Sequence, residues 1–129
     1  MQEGEICSMK YDLEQRLTRF SVAIVKAIDS LPQNPVTKHL SGQLMRSGTA
    51  PALLYGEAQS GESRRDFIHK MKIGLKELRE TFACLKVLEE AGYLQADYRD
   101  KLLKENDELI AIFHTSITTA TKNLRDFER

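Results

Sequence analysis

The sequence predicts an all-α protein, a single domain of four antiparallel helices in up-down-up-down order. Apolar residues recur at intervals of three and four along most of the 129-residue chain, which is the spacing of one face of a helix. β-branched residues never form alternating runs, and only 7% of the residues are aromatic, so strands are not indicated. The predicted helices are about 20 to 30 residues long, and the segments between them are short. Consecutive helices must therefore lie antiparallel and pack against each other.

The first helix is predicted to run from Asp12 to about Leu31, after a flexible leader of residues 1–11 that lacks periodicity. Asp12 and Gln15 have the spacing of a capping box. The bundle domain is therefore assigned to residues 12–129. One apolar stripe faces the core: Leu13, Leu17, Phe20, Ile24, Ala27 and Leu31.

The second helix is predicted to begin at an Asn34 N-cap, with Pro35 in the first turn, and to end near Ala58. Leu40, Leu44, Leu54 and Tyr55 are its core positions. A kink or break is expected near Pro51, because proline lacks the N–H that would bond to the carbonyl four residues back.

The third helix is predicted from about Ser63 to Ala91, with Gly92 as a left-handed C-terminal cap. The fourth is predicted from about Ala96 to Asp126. Their core positions share the helical period: Phe67, Met71, Leu75, Leu78, Phe82 and Leu85 on the third helix, and Tyr98, Leu102, Leu109 and Phe113 on the fourth.

The fourth helix has a second apolar series, displaced about 100° from its core stripe. We call it the α4 stripe: Leu103, Ile110, Ile117 and Leu124. In one interpretation the stripe stays inside the monomer, because each helix of a bundle touches two neighbours. In the other it forms a subunit interface, since surplus apolar stripes on small domains are usually covered by a partner.

No arrangement of residues predicts catalysis, a cofactor or a metal site. His39, His69 and His114 are too far apart to share a local metal motif. Asp66 and His69 have the spacing of a di-iron element, but no second element exists, and an acid in a first helical turn explains Asp66. Cys7 and Cys84 form no disulfide framework. Without a secretory signal or membrane span, a cytoplasmic protein is expected.

A basic stripe on the third helix raises nucleic acid as an alternative partner, although 19 basic residues balance 19 acidic ones. Its members are Arg65, Lys72, Lys76, Arg79 and Lys86. In one interpretation this is a solvated face, in which Lys76 pairs with Glu80 and Lys86 with Glu90. In the other, an oligomer repeats the stripe and presents a multivalent basic surface.

Four blocks of sequence indicate a family: Arg46-Ser-Gly-Thr-Ala-Pro, Tyr55-Gly-Glu-Ala-Gln, Glu62-Ser-Arg-Arg-Asp-Phe-Ile-His-Lys and Leu75-Lys-Glu-Leu-Arg-Glu-Thr. The chain resembles the proteins encoded in intervening sequences of bacterial large-subunit ribosomal RNA genes. The resemblance implies a helical bundle that forms a homopentameric ring and has no established enzymatic activity. A related branch, the accessory proteins of diversity-generating retroelements, binds a reverse transcriptase and nucleic acid through a strongly basic surface, whereas this chain has a pI near 6.8.

The polar residues of the matched blocks form a predicted junction between helices: Arg46, Ser47, Glu57 and Arg64. Arg46 and Glu57 are about 16 Å apart along one helix, so each needs a partner on another helix. One interpretation is structural, with Glu57 bridged to Arg64 or Arg65 across the turn. The other is a binding site for a partner.

The sequence thus predicts a non-enzymatic bundle that assembles with copies of itself and acts through protein contacts. The alternative is an accessory protein that binds RNA or DNA, or an enzyme acting on them, through the basic stripe.

Overall fold

The structure, a computed structural model, describes the backbone of residues 3–128 and the side chains of residues 12–128. It contains four helices: α1 Glu3–Asp29, α2 Pro35–Gln59, α3 Arg64–Glu90 and α4 Ala96–Glu128. Each helix packs against the next in sequence, and α4 returns to α1 along the most open side of the bundle. No strand occurs among the described residues. The predicted all-α four-helix bundle is confirmed.

The start of α1 differs from the prediction, because the helix begins at Glu3 and not at Asp12. Ile6 and Met9 precede Leu13 at intervals of three and four residues, so the helical period continues through the segment assigned to the leader. Asp12 and Gln15 therefore lie inside a helix. Residues 1 and 2, and the side chains of residues 3–11 including Cys7, lie outside the described part of the chain, and the flexibility of the leader stays a prediction.

Asn34 caps the start of α2, as predicted, and the cap is reciprocal. The Asn34 side chain accepts a hydrogen bond from the Thr37 amide at 2.9 Å, and the Thr37 hydroxyl accepts one from the Asn34 amide at 3.1 Å. The helix continues from Pro35 to Gln59 through a buried Pro51. The helix is therefore not broken at Pro51, and a kink there stays a prediction.

The C-terminal end of α3 follows the predicted chemistry, and its N-terminal end lies where it was predicted. Ser63 caps the start by accepting a hydrogen bond from the Asp66 amide at 3.1 Å. At the other end Gly92 has a φ of 78°, and the Gly92 and Tyr93 amides donate to the Glu89 and Leu88 carbonyls, each at 2.9 Å. This pair of bonds is a Schellman motif, which needs a left-handed residue at its centre.

The core is built mainly from the predicted stripes, although Leu54 and Phe82 are only partly buried. Two glycines allow the helices to approach closely. A Cβ on Gly48 would lie 2.8 Å from a methyl carbon of Ile24, and one on Gly74 would lie 2.6 Å from the Phe113 ring. The predicted positions at the centre of the bundle are buried: Leu17, Phe20, Ile24, Leu44, Met71, Leu78, Leu85, Leu102, Leu109 and Phe113. Within the described residues, none of the helices has the length of apolar sequence that a bilayer crossing requires.

Candidate functional site

The α4 stripe is half-buried in the single chain. Leu103, Ile110 and Ile117 pack against the core cluster, and Leu124 is also partly covered. Asn106 and Arg99 of α4 contact α3. Leu103 lies one helical turn from both of them, so it is on the same side of α4. The stripe therefore lies on the α3 side of α4, where α3 covers one edge of it and leaves the other in contact with solvent.

A second apolar surface lies between α2 and α3, and it includes Leu54, which the sequence assigned to the core. We call it the α2–α3 patch: Ala50, Leu53, Leu54 and Ile73. These residues line a depression of about 550 Å³, and 70% of Leu53 is exposed. Ala50, Leu53 and Leu54 are spaced at three and four residues, which is the sequence signal that could have identified this surface.

Arg46 joins α2 to α3 at one end of the α2–α3 patch. Its guanidinium lies 2.7 Å from the Glu77 carboxylate and also pairs with Glu80. The hydrogen bond and the negative charge of Glu77 raise the pKa of Arg46. The expectation of partners on another helix is confirmed. The predicted Lys76–Glu80 pair is wrong, because Glu80 faces Arg46 across the helix interface.

The other predicted bridges of the polar junction are wrong. Glu57 lies 3.9 Å from Lys70 and pairs with neither arginine of the turn. Arg64 stacks over the Phe127 ring at 5.4 Å, and Arg65 pairs with Glu128. These two arginines face the end of α4, whereas Lys70 faces α2. The junction is thus spread over separate contacts on both sides of α3.

Two buried polar atoms have no hydrogen-bond partner among the described residues, the hydroxyl of Ser47 and the Oδ1 of Asn106. Asn106 lies at a core position of α4 and donates from Nδ2 to the Leu78 carbonyl of α3 at 3.1 Å. Asn106 was not among the predicted core positions, although it follows Leu102 by four residues and precedes Leu109 by three.

The basic stripe of α3 is only partly free. Arg65 is paired with Glu128, and Lys86 lies 2.7 Å from Glu89 instead of pairing with Glu90 as predicted. The other three residues of the stripe are Lys72, Lys76 and Arg79. They are exposed, and none of them forms an ion pair with a carboxylate among the described side chains. These three define the part of the stripe that can contact an anionic partner.

The groups considered for metal or nucleophilic chemistry are dispersed. His39, His69 and His114 are exposed on three different helices. Among the described residues, no three His, Cys, Asp or Glu side chains come close enough together to hold a metal ion. The Cys84 thiol is buried and lies 3.6 Å from the Leu40 carbonyl. Burial, with a smaller effect of Glu80, raises its pKa, which disfavours the reactive thiolate.

A cleft of about 410 Å³ opens between α1 and α4. We call it the α1–α4 cleft, and its apolar walls are Phe20, Ala23, Ala27, Tyr98 and Leu102. These α4 residues lie on the α1 side of the helix, away from the α4 stripe. The sequence did not predict a cleft here, because its width depends on the separation of two helices.

Polar contacts close both ends of the α1–α4 cleft. At one end the Arg16 Nε donates to Glu105 at 3.1 Å, and its Nη2 donates to Glu108 at 3.0 Å. At the other end the hydroxyls of Ser30 and Tyr98 are 2.6 Å apart. The cleft is thus bounded by two helices along its length and by a polar contact at each end.

The comparisons with known proteins agree with this fold. The crystal structure of a protein of unknown function from the S23 ribosomal protein family of Bacteroides thetaiotaomicron VPI-5482 has a TM-score of 0.74 to this chain, at 26% identity over 84% of this chain and 97% of that chain. No curated protein matches. The family described as 23S rRNA-intervening sequence protein matches residues 9–115. The chain therefore belongs to the 23S rRNA-intervening sequence protein family.

Proposed function

We propose that this protein is a non-enzymatic, cytoplasmic bundle that assembles into a homo-oligomeric ring, pentameric as the family resemblance implies, and acts through protein contacts. The observation that supports the proposal is the half-buried α4 stripe. From Leu103 to Leu124 it extends about 32 Å at the rise of an α-helix. An apolar strip of this length on a small domain is normally covered by a partner.

A ring of more than two subunits needs two different surfaces, because each contact is heterologous. The α4 stripe supplies one of them. The α2–α3 patch supplies the other, since Leu53 is a large apolar side chain that its own chain leaves 70% exposed. The ion pairs of Arg46 and Glu57 at the two ends of the patch limit the area available to a neighbour.

Complementation between two defective variants tests this arrangement. Ile110→Asp with Ile117→Asp removes the α4 stripe, and Leu53→Asp removes the α2–α3 patch. We expect each variant alone to be monomeric by light scattering at micromolar concentration. An equimolar mixture should form a heterodimer, because one intact stripe can still meet one intact patch. Ala111→Asp, at an exposed position on another face of α4, is the matched control and should assemble as the wild type does.

Three results would contradict the proposal. A monodisperse wild-type monomer at micromolar concentration removes self-assembly altogether. Assembly of Leu53→Asp at the wild-type size removes the α2–α3 patch from the contact. A mixture that stays monomeric, when each variant is folded by circular dichroism, removes the pairing of stripe with patch.

A second candidate function, binding of RNA or DNA, is favoured by the three exposed cations Lys72, Lys76 and Arg79. In a ring these cations would be repeated on every subunit, so a chain with no net charge could still present a multivalent basic surface.

Electrophoretic mobility shift against salt concentration tests this candidate. We expect a shift at low salt that weakens steeply as salt rises, because binding releases counterions from the phosphates. Changing Lys72, Lys76 and Arg79 to Glu should abolish the shift, whereas Lys38→Glu on α2 should retain it. Absence of a shift at about 50 mM salt, or equal shifts for both variants, would exclude the basic stripe as a nucleic-acid surface.

A further inference from the structure

We propose that the α1–α4 cleft is a binding site for a single-chain amphiphilic carboxylate, a molecule with one alkyl tail and an anionic head group. The proposal depends on the shape, lining and charge of the cleft. It is independent of self-assembly, because the cleft lies on the α1 side of α4 and the α4 stripe lies on the α3 side.

The volume and lining of the cleft match those of small-molecule sites. Its volume of about 410 Å³ lies within the range of roughly 300 to 1,000 Å³ that is usual for ligand pockets. The walls are aliphatic and aromatic carbon, with Phe20 and Leu102 at the base, both at most 5% exposed. The α1 wall from Arg19 to Ala27 is about 12 Å long at the helical rise. An apolar site of this length fits an alkyl tail.

The two polar contacts at its ends give the cleft a defined length. The Arg16–Glu105 pair at one end and the Ser30–Tyr98 pair at the other are present in the free chain. Binding therefore requires no new ordering of these side chains, which lowers the entropic cost of association. The same contacts restrict the site to a tail that lies between them.

The charge at the rim of the cleft selects the head group. Arg19, Lys26 and Lys101 line the opening. Glu105 also lines it, but its carboxylate is bound by Arg16. Lys26 and Lys101 form no ion pair with a carboxylate among the described side chains. A long basic side chain can lie along the apolar wall and keep its charge at the mouth, so the rim favours an anion above an apolar tail.

Calorimetric titration of dodecanoate, kept below its micelle concentration, into the full chain tests the proposal. We expect saturable binding with one site per subunit. Dodecyltrimethylammonium has the same tail and the opposite charge, and it should bind at least about tenfold more weakly. Equal binding of the two amphiphiles would overturn the role of the rim.

Two kinds of variant separate the tail site from the head-group site. Lys26→Glu with Lys101→Glu should weaken dodecanoate binding by about tenfold or more, while Lys38→Glu on α2, exposed and away from the cleft, should not change it. Ala23→Trp fills the cleft and should abolish binding, and the smaller Ala23→Leu should weaken it. Thermal melting by circular dichroism confirms that each variant is folded.

Other outcomes would overturn the proposal. They are absence of saturable heat, unchanged affinity in the Lys26→Glu and Lys101→Glu variant, or unchanged affinity in a folded Ala23→Leu protein. If Ala23→Trp converts an oligomer to a monomer by light scattering, a second copy of the chain covers the cleft, and it is not a ligand site.

A membrane lipid also has alkyl tails and an anionic head group, so it is an alternative ligand for the cleft. Sedimentation with phosphatidylglycerol vesicles distinguishes the two ligands. We expect no cosedimentation, because the end contacts leave room for one free tail and not for a bilayer surface. Cosedimentation that Lys26→Glu and Lys101→Glu abolish would overturn binding of a free amphiphile.

Discussion

The amide of Asn106 lies where the pattern of α4 calls for an apolar side chain. It follows Leu102 by four residues and precedes Leu109 by three, and it is fully buried. Its Nδ2 donates to the Leu78 carbonyl, whereas its Oδ1 has no partner among the described residues. A buried acceptor without a hydrogen bond costs about 1 to 3 kcal/mol.

We expect Asn106→Leu to raise the free energy of unfolding by about 1 kcal/mol, because the unsatisfied oxygen is replaced by carbon of similar shape. Urea denaturation followed by circular dichroism measures the change. Asn123→Leu, at an exposed position of the same helix, should change the free energy by less than about 0.5 kcal/mol. A loss of stability in Asn106→Leu would contradict this expectation and would mean that the hydrogen bonds of the amide outweigh the gain from an apolar side chain.

Two glycines inside helices should respond to alanine in opposite directions. A Cβ on Gly74 would lie 2.6 Å from the buried Phe113 ring, whereas one on Gly42 would have no atom within 4 Å. Gly74→Ala should therefore lower the free energy of unfolding by about 1 to 3 kcal/mol through overpacking. Gly42→Ala should raise it by about 0.5 to 1 kcal/mol, because alanine restricts the unfolded chain. Urea denaturation of both variants measures the two changes in the free energy of unfolding. Equal changes would contradict the steric explanation.

At the scale of the helices, the sequence predicted most of the ends that depend on local chemistry. Asn34 and Gly92 each cap a helix as expected. Ser63 was predicted as the start of the third helix and is its N-cap. The start of α1 was wrong because the spacing of Asp12 and Gln15 is also compatible with a helix interior. Ile6 and Met9 were the better signal, since they continue the apolar period.

Partners across helices were harder to predict than helix ends. Arg46 meets Glu77 and Glu80, and Glu57 meets Lys70. These pairs depend on the rotation and axial position of α2 against α3, which no local pattern specifies. The sequence therefore identified Arg46 as a residue needing a distant partner, but it assigned Glu57 to the wrong basic residue.

Substitution of Gly92 tests whether the C-terminal end of α3 requires a residue with a left-handed backbone conformation. Because its φ is 78°, Gly92→Ala should lower the free energy of unfolding by about 1 kcal/mol. Gly56→Ala, with no atom near the added Cβ and an ordinary helical backbone, should leave stability unchanged or raise it. Thermal melting of both variants is the measurement. An equal loss in the two would mean that backbone conformation is not the cause.

At the scale of the whole molecule, the four-helix architecture followed from periodicity, whereas the open surfaces did not. The sequence located the α4 stripe, but it missed the α2–α3 patch and the α1–α4 cleft. Both depend on how far apart two helices stand and on which side chains their contacts leave uncovered. Leu53 illustrates the difficulty, because it is adjacent to Leu54 in sequence and far more exposed.

If the α2–α3 patch forms a subunit contact, the stability of the molecule should depend on its concentration. We expect the midpoint of thermal unfolding to rise as the protein is concentrated from about 1 to 100 μM, because association stabilises the folded state by mass action. Leu53→Asp should remove this dependence, and Lys38→Glu should retain it. A midpoint that does not move with concentration in the wild type would argue against a contact that is linked to folding.

The packing of each helix mainly against its neighbours in sequence also bears on how the chain folds. Contacts between α1 and α2, α2 and α3, and α3 and α4 join segments that are close along the polypeptide, and only the sparse α1–α4 edge joins distant ones. Such low contact order is associated with folding in about microseconds to milliseconds. The α1–α4 edge is the step with the largest loop-closure entropy, so it should close last.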